Sequence, residues 1–230
     1  MDIQSDIQFL YSLEKFGIKL GLDNINALLN FAENPQNGFK AIHVAGTNGK
    51  GSVSAFVASI LIEAGYKTGL YTSPHLVKFN ERIKINNLEI ADEEVSRHLD
   101  FFKSDIIEKK ATFFEAVTAI AFNHFKASGC DFAVIETGLG GRFDSTNVID
   151  PVVSVITNIS FDHTQYLGNT LKEIAFEKAG IIKNGHPLVT AADNSEALYI
   201  FRERCRSVNA EFYNVNELFT VQNCNIDNKG

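Results

Sequence analysis

Lys40-Ala41-Ile42-His43-Val44-Ala45-Gly46-Thr47-Asn48-Gly49-Lys50-Gly51-Ser52 joins an apolar, β-favouring run to a glycine-rich turn. The turn opens into Val53-Ser54-Ala55-Phe56-Val57-Ala58-Ser59-Ile60-Leu61-Ile62-Glu63-Ala64, which reads as a helix. Three glycines let the backbone curl so that successive N–H groups aim at one spot, the helix N-terminus adds its positive dipole end, and Lys50 adds a full charge. That combination fits a polyphosphate. The Walker pattern requires glycine at position 44 and Ser or Thr directly after the lysine; Val44 and Gly51 stand there instead, so a literal match fails. The strand–loop–helix context is met, and Ser52 offers a hydroxyl one residue later. The plain alternative is a glycine-rich turn capping an ordinary helix. The context favours phosphate, and the loop is expected to bind a nucleotide.

Upstream, residues 5–16 carry apolar positions at Ile7, Leu10, Tyr11 and Leu13 with helical spacing. Residues 17–22 read as a turn, and Asp23 as the cap of a second helix through Leu28, Leu29 and Phe31. Downstream, residues 67–72 form a second strand, close enough to the first for a right-handed βαβ unit. Residues 73–82 are then a polar, proline-punctuated loop at a strand's C-terminal end, where ligands gather in open α/β sheets. Helices are expected from Asp92 to about Lys110, from Thr112 to Ala127, from Thr170 to about Ala179 and from Asn194 to Ser207. Strands are expected at 132–136, 152–157 and 187–190. Such alternation, with strands of buried type, predicts an α/β fold: a mostly parallel P-loop sheet with helices on both faces. Residues 219–230 look like a strand breaking off at a turn, so the chain reads as cut at its C-terminus.

The 230 residues are 45% hydrophobic and 21% charged, the balance of an ordinary globule, and are enough for one large domain or two small ones. A net charge of -7 argues against a general binder of nucleic acid or anionic membrane, without excluding a local basic pocket. Cys130, Cys205 and Cys224 are odd in number and show no ligand spacing, so neither a disulfide framework nor a zinc site is suggested. The start lacks a basic, then apolar leader, and no apolar run is long enough to span a bilayer. A cytoplasmic location is the default expectation.

Several functional side chains fall just after strands. Ser73, Glu136, Asp162 and His163 would lie along one rim of the sheet near Lys50, and hydroxyl, carboxylate and imidazole converging on a triphosphate suit magnesium. Singly, Glu136 reads equally as a solvated strand end and His163 as a satisfied loop histidine; their shared strand-end position is what points to a site. Gly138-Leu139-Gly140-Gly141-Arg142-Phe143-Asp144-Ser145-Thr146-Asn147 is a second glycine-rich loop whose flexibility and polar content suit gripping a ligand.

These segments together resemble folylpolyglutamate synthase/dihydrofolate synthase, within the superfamily of Mur peptidoglycan ligases. The resemblance is carried by residues 45–52, 71–76, 80–83, 113–115, 136–147, Asp162-His163 with Leu167-Gly168, and 177–183, in family order. It implies that Thr47, Asn48, Gly49, Lys50, Gly51 and Ser52 hold ATP, and that Ser73, Glu136 and His163 ligate Mg²⁺, two ions in all. Lys178 resembles the family's carbamylated lysine; carbamylation turns a cation into an anionic oxygen ligand. The unmodified alternative is a helix-surface lysine beside Glu177. Lys19, Leu20, Gly21, Thr112, Phe113, Phe114, Glu115, Phe143, Asp144 and Ser145 would line the pterin end, with Phe114 against a flat heterocycle and Asp144 accepting from its ring N–H groups. Packing is an equally ordinary use for Phe113 and Phe114.

The activity this likeness implies is ATP-dependent addition of L-glutamate to dihydropteroate or reduced folates through an acyl phosphate. Lys50, Lys178 and His163 would carry the chemistry, in a monomer with small-molecule partners and no nucleic acid or membrane. Residues 1–230 would be the ATP-binding domain, incomplete, without the C-terminal domain that supplies adenine, ribose and glutamate contacts. Weak or no ligase activity is therefore expected of these residues alone. A Mur-type peptidoglycan-precursor ligase is disfavoured by the 71–76 loop and by the lack of an N-terminal UDP-binding domain. A non-catalytic nucleotide-binding module is the alternative of a different class.

Overall fold

The computed structural model describes residues 3–220. Helices α1 (Ile3–Ser12) and α2 (Asp23–Phe31) precede β1 (Lys40–Ala45), α3 (Lys50–Glu63) and β2 (Thr68–Tyr71). A hairpin of β3 (Ile83–Ile85) and β4 (Leu88–Glu89) follows, then α4 (Asp92–Glu108), α5 (Phe113–Ala127), β5 (Phe132–Glu136) and β6 (Pro151–Ile156). The short α6 (Thr164–Leu167), α7 (Leu171–Ala179), β7 (Leu188–Thr190), α8 (Ser195–Ser207), β8 (Phe212–Asn214) and α9 (Val215–Leu218) complete the described residues.

The strands form one sheet in the order β4-β3-β2-β5-β1-β6-β7-β8. β1 lies inside it, parallel to β5 and β6, with Val44 beside Glu136 and Ala45 beside Ile156. The sheet is parallel from β2 to β8, and β3 and β4 add an antiparallel edge. Alternate residues face opposite sides. Ile42, Val44, Leu70 and Val134 pack with Ala58 under α3, while Ala41, Ala133, Ile135 and Tyr71 join Phe102, Phe122, Phe125 and the buried leucines of α1 and α2. Each such large apolar side chain contributes roughly 1.5–3 kcal/mol by leaving water. Ala45, Ile156 and Leu188 close a third cluster with Ile174 of α7 and Phe201 of α8.

The pattern of alternating strands and helices stands, with local corrections. α3 starts at Lys50, three residues before the apolar periodicity signals it, because left-handed Gly49 already serves as its cap. Asp23 is the first residue of α2; Leu22 is the cap and makes no side-chain cap bond. Residues 5–16 are not one helix: α1 ends at Ser12 and a 3-10 turn runs from Leu13 to Phe16. The β3–β4 hairpin is absent from the sequence expectation because its strands are three and two residues long and turn at Asn86 and Asn87, both in left-handed conformation. Of the supposed terminal strand, Phe219 and Thr220 are not in a strand, and 221–230, with Cys224, lie outside the described residues. Cys130 and Cys205 are buried free thiols.

Candidate active site

Gly46 leaves β1 at φ +147°, and a Cβ built there would fall 1.8 Å from Thr157 Oγ1. Only glycine lets the chain pass so close to the end of β6. The loop is tied to that end. Thr47 N–H donates to the Asn158 carbonyl at 3.0 Å, Asn48 N–H donates to Asn158 Oδ1 at 2.9 Å, and the Thr157 hydroxyl donates to the Asn48 carbonyl at 2.7 Å. Thr47 Oγ1 also accepts from Ser160 N–H at 3.0 Å. The N–H groups of Thr47 and Asn48 therefore shape the loop. The first helical bond of α3 runs from Val53 N–H to the Gly49 carbonyl, so the N–H groups of Lys50, Gly51 and Ser52 precede the ladder at the positive end of the helix. Asn158 is a loop-building residue that carries no role in the sequence expectation; its position two residues beyond β6 is the available signal.

Two lysines converge on this loop. Lys50 Nζ donates to the carbonyls of Gly46 at 3.1 Å and Thr47 at 3.3 Å, and Lys178 Nζ donates to the same Gly46 carbonyl at 2.9 Å. Lys178 is not the surface neighbour of Glu177: it is 3% exposed and points inward from α7, while Glu177 pairs with Arg142. α7 is held at its start by a reciprocal cap between Thr170 and Glu173. Burial, reinforced by the charge of Lys50, pushes the Lys178 ammonium down to about 8 from its ordinary 10.5, against the pull of Asp162 and Asp144.

That shift predicts a stability difference. Between about pH 8 and 10.5 the unfolded chain binds a proton at Lys178 that the folded chain does not, so stability from this residue rises with pH through that window. In CO₂-depleted buffer Lys178→Met is expected to be more stable than the parent at pH 7, by about 3 kcal/mol, and to lose the advantage by pH 10.5. Denaturant melts at both pH values check this; a variant less stable at pH 7 refutes it.

Glu136 ends β5 4% exposed and accepts from Ser73 N–H at 3.0 Å. A Cβ on Gly51 would lie 3.7 Å from its Oε2, so this carboxylate stands directly below the first turn of α3. Burial raises its pKa, opposed by the Ser73 N–H and the charge of Lys50. Ser73 also borders a cleft of about 450 Å³, together with Lys19, Leu20, Thr112, Phe113, Phe114, Phe143, Asp144, Ser145 and His163. Gly21 and Glu115 are not among its lining residues. Glu115 is buried with a different task, accepting the Thr112 N–H at 2.7 Å to close the cap of α5 and the Asn24 amide at 3.2 Å. His163 sits at φ +46°, exposed at the cleft, with its ring 3.5 Å from the Asp162 carboxylate.

Within the cleft, Phe113 is stacked by Tyr11 at 5.5 Å and carries the Arg82 guanidinium 5.1 Å from its ring centre. Phe114 lies 5.9 Å from Tyr71. Ile18 and Leu139 complete the apolar wall, and Arg82, 8% exposed and donating to His75 Nδ1 at 2.8 Å, is the buried cation of the cleft that the sequence reading assigned no role. Its place among Asn80-Glu81-Arg82 in a strand-end loop was the signal.

The second glycine-rich loop is braced rather than flexible. Arg142 N–H donates to the Glu177 carbonyl at 2.8 Å, and a Cβ on Gly141 would meet that carbonyl oxygen at 2.9 Å. Gly141 serves close approach to α7, while Gly138 makes room for Phe114 and Gly140 for Leu167. Asp144 is buried, and its oxygens already accept Leu139 N–H at 2.7 Å, Thr146 N–H at 3.0 Å and the Thr146 hydroxyl. Burial raises its pKa against these bonds. A carboxylate so engaged shapes the cleft wall and has little capacity left for ring N–H groups.

A family model described as the Mur ligase middle domain matches residues 44–229. The dihydrofolate synthase/folylpolyglutamate synthase of Bacillus subtilis (strain 168) is 45% identical over 216 residues, covering 91% of this chain and 50% of its own length. A crystal structure of folylpolyglutamate synthase from Thermotoga maritima superposes with a TM-score of 0.85 at 39% identity, covering 93% of this chain and 50% of that one. An FPGS–AMPPCP–folate complex does so with a TM-score of 0.86 at 36% identity, covering 93% and 54%. The chain thus spans about half the length of the relatives it matches.

Proposed function

The chain belongs to the Mur ligase family, and from that membership we propose that it forms the nucleotide- and pterin-holding part of a folylpolyglutamate or dihydrofolate synthase, a ligase that adds L-glutamate to dihydropteroate or reduced folates using ATP. The observation that carries the reading is Glu136. It accepts from Ser73 on the cleft side and lies under Gly51 on the phosphate side, so one buried carboxylate joins a triphosphate-type turn to an aromatic-walled cleft. The FPGS complex with AMPPCP and folate gives both ligands a precedent in a relative.

On this reading the N–H groups of Lys50, Gly51 and Ser52, with the Lys50 ammonium, hold the ATP phosphates, while Thr47, Asn48 and Gly49 keep the loop in shape. The donor set fits Mg²⁺: the Ser73 hydroxyl, the Glu136 carboxylate, whose desolvated charge a hard cation would compensate, and the His163 imidazole, with Lys178 as a carbamate. Bound there, the ion would shield the triphosphate charge. Phe114, Leu20 and Phe143 present apolar surface to the heterocycle, with Lys19, Thr112, Phe113 and Ser145 around it. Glu115 and Asp144 act through the backbone they brace, and Gly21 through the turn it allows at φ +141°.

The substrate carboxylate attacks the γ-phosphorus, ADP leaves, and the resulting acyl phosphate is opened by the amine of glutamate with loss of phosphate and a proton. No protein nucleophile is required; the demand is positioning and charge compensation, because one anion must approach another. Lys50 supplies that compensation, and Arg82 adds a cation to the cleft wall. The lowered pKa of Lys178 makes its neutral amine accessible near pH 8, and a neutral amine is the form that adds CO₂. Residues 1–230 act as one ATP-binding unit, and the full reaction belongs to a protein carrying this chain with the remaining length its relatives have. That protein is read as a cytoplasmic monomer acting on small molecules; among the described residues no helix is long and apolar enough to cross a membrane.

Calorimetric titration of the 230-residue chain with AMPPCP and Mg²⁺ tests the site, with binding expected and Glu136→Gln at least ~10-fold weaker. Absence of binding at millimolar nucleotide overturns the reading. For the longer protein, phosphate release with ATP and L-glutamate, using dihydropteroate and tetrahydrofolate in parallel, identifies the acceptor. Release with neither acceptor refutes the ligase assignment.

A further inference from the structure

A second cluster of ligand-type side chains lies where α4 crosses α5, away from the cleft. Glu94 and His98 are one helical turn apart on α4, and His124 faces them from α5. His98 Nε2 lies 3.3 Å from His124 Nδ1, and one carboxylate oxygen of Glu94 lies 3.6 Å from each of these nitrogens. Ligands held at 2.0–2.1 Å around a tetrahedral ion are about 3.3–3.5 Å apart. The three atoms therefore already form one face of such a tetrahedron. Helical spacing explains Glu94 with His98; the second imidazole comes from another helix, and its Nδ1 lies within reach of both of those ligand atoms.

From this geometry we propose that Glu94, His98 and His124 form a site for a divalent transition-metal ion of the zinc type. Two imidazoles and one carboxylate select a borderline cation over Mg²⁺, which prefers oxygen. The outer contacts agree. The Asn123 amide lies 3.1 Å from His98 Nδ1 and, turned to present its oxygen, would accept the proton that this nitrogen carries when Nε2 binds metal. Burial keeps both rings neutral, the ligand form, with the nearby charges of Arg97 and Lys67 acting in the same direction and Glu94 against it. The position a cation would take is contested by Arg97, whose guanidinium pairs with Glu94 and reaches His98 Nε2 at 3.2 Å. Its side chain is 55% exposed and can swing into solvent. The ion would clamp the start of α4 to the end of α5, about 15 Å along α5 from Phe114. This site is independent of the nucleotide reading.

The test titrates Zn²⁺ into the chelator-stripped 230-residue chain in excess Mg²⁺, read by competition with a chromophoric chelator, with Co²⁺ as a spectroscopic substitute. One equivalent is expected, with a Co²⁺ spectrum free of thiolate charge transfer. His124→Gln and Glu94→Gln should each weaken uptake at least ~10-fold, and Arg97→Ala should tighten it several-fold. Glu94 is partly exposed, so its variant is expected to keep the parent far-UV circular dichroism where a buried histidine replacement does not. Uptake unchanged in Glu94→Gln and His124→Gln, a thiolate signature, or no uptake by the parent overturns the proposal and leaves a histidine pair capped by Arg97.

Discussion

Lys50→Ala is expected to lower turnover at least ~100-fold in a protein that carries this chain and adds glutamate, the low end for losing a preorganised charge stabiliser. Lys50 stands at the first position of α3, where on the proposed reading helix dipole, free-end N–H groups and its own ammonium would act on the same anion. The fold should tolerate the change, since the Gly46 carbonyl keeps its bond from Lys178 and the Thr47 carbonyl loses a long one. Removing this charge also lifts one of the two causes that depress Lys178, so Lys178 should protonate more readily in the variant. Steady-state kcat at saturating ATP measures the main effect. An unchanged rate would remove the loop from the mechanism.

Gly46→Ala is expected to be the most damaging substitution of one carbon. The new Cβ would overlap Thr157 Oγ1 at 1.8 Å and hold a non-glycine residue at φ +147°. Relief requires moving either Thr157, whose hydroxyl holds Asn48, or the Gly46 carbonyl that receives both lysines. Backbone strain and overpacking of this kind cost about 3 kcal/mol, which in a chain of this size lowers the melting temperature by about 9 °C. AMPPCP affinity should fall with it, at least ~10-fold, because the loop is the proposed phosphate seat. Thermal melts and calorimetry check both quantities; a variant matching the parent in both would show that the loop relaxes freely.

How much was legible in the residues follows from how far each signal reaches along the chain. β1, interrupted by His43, and β5, apolar up to Glu136, announce themselves as mainly apolar runs because both faces of a parallel strand are covered. The turn after β1 is legible because glycine content and Lys50 lie within a few positions of each other. Thr112 with Glu115 and Thr170 with Glu173 are cap pairs at the readable spacing of three, yet the family resemblance places Glu115 at the pterin site, whereas its carboxylate closes the α5 cap and it is not among the residues lining the cleft. The loop at 138–147 misled for a related reason: glycine permits flexibility and close packing alike, and only the approach of α7 decides between them.

The amino-acid order by itself determined the α/β alternation and the glycine-rich turn with its lysine, since each is written in neighbouring residues, whereas the segments at the cleft were named through the family resemblance. Tertiary structure alone decided that Lys178 turns inward onto the Gly46 carbonyl, that Asp144 spends its oxygens on its own loop, and that His98 and His124 meet. Those outcomes depend on which helix face is pressed against which strand end. Helical periodicity offers several faces at similar cost, and long-range packing selects one.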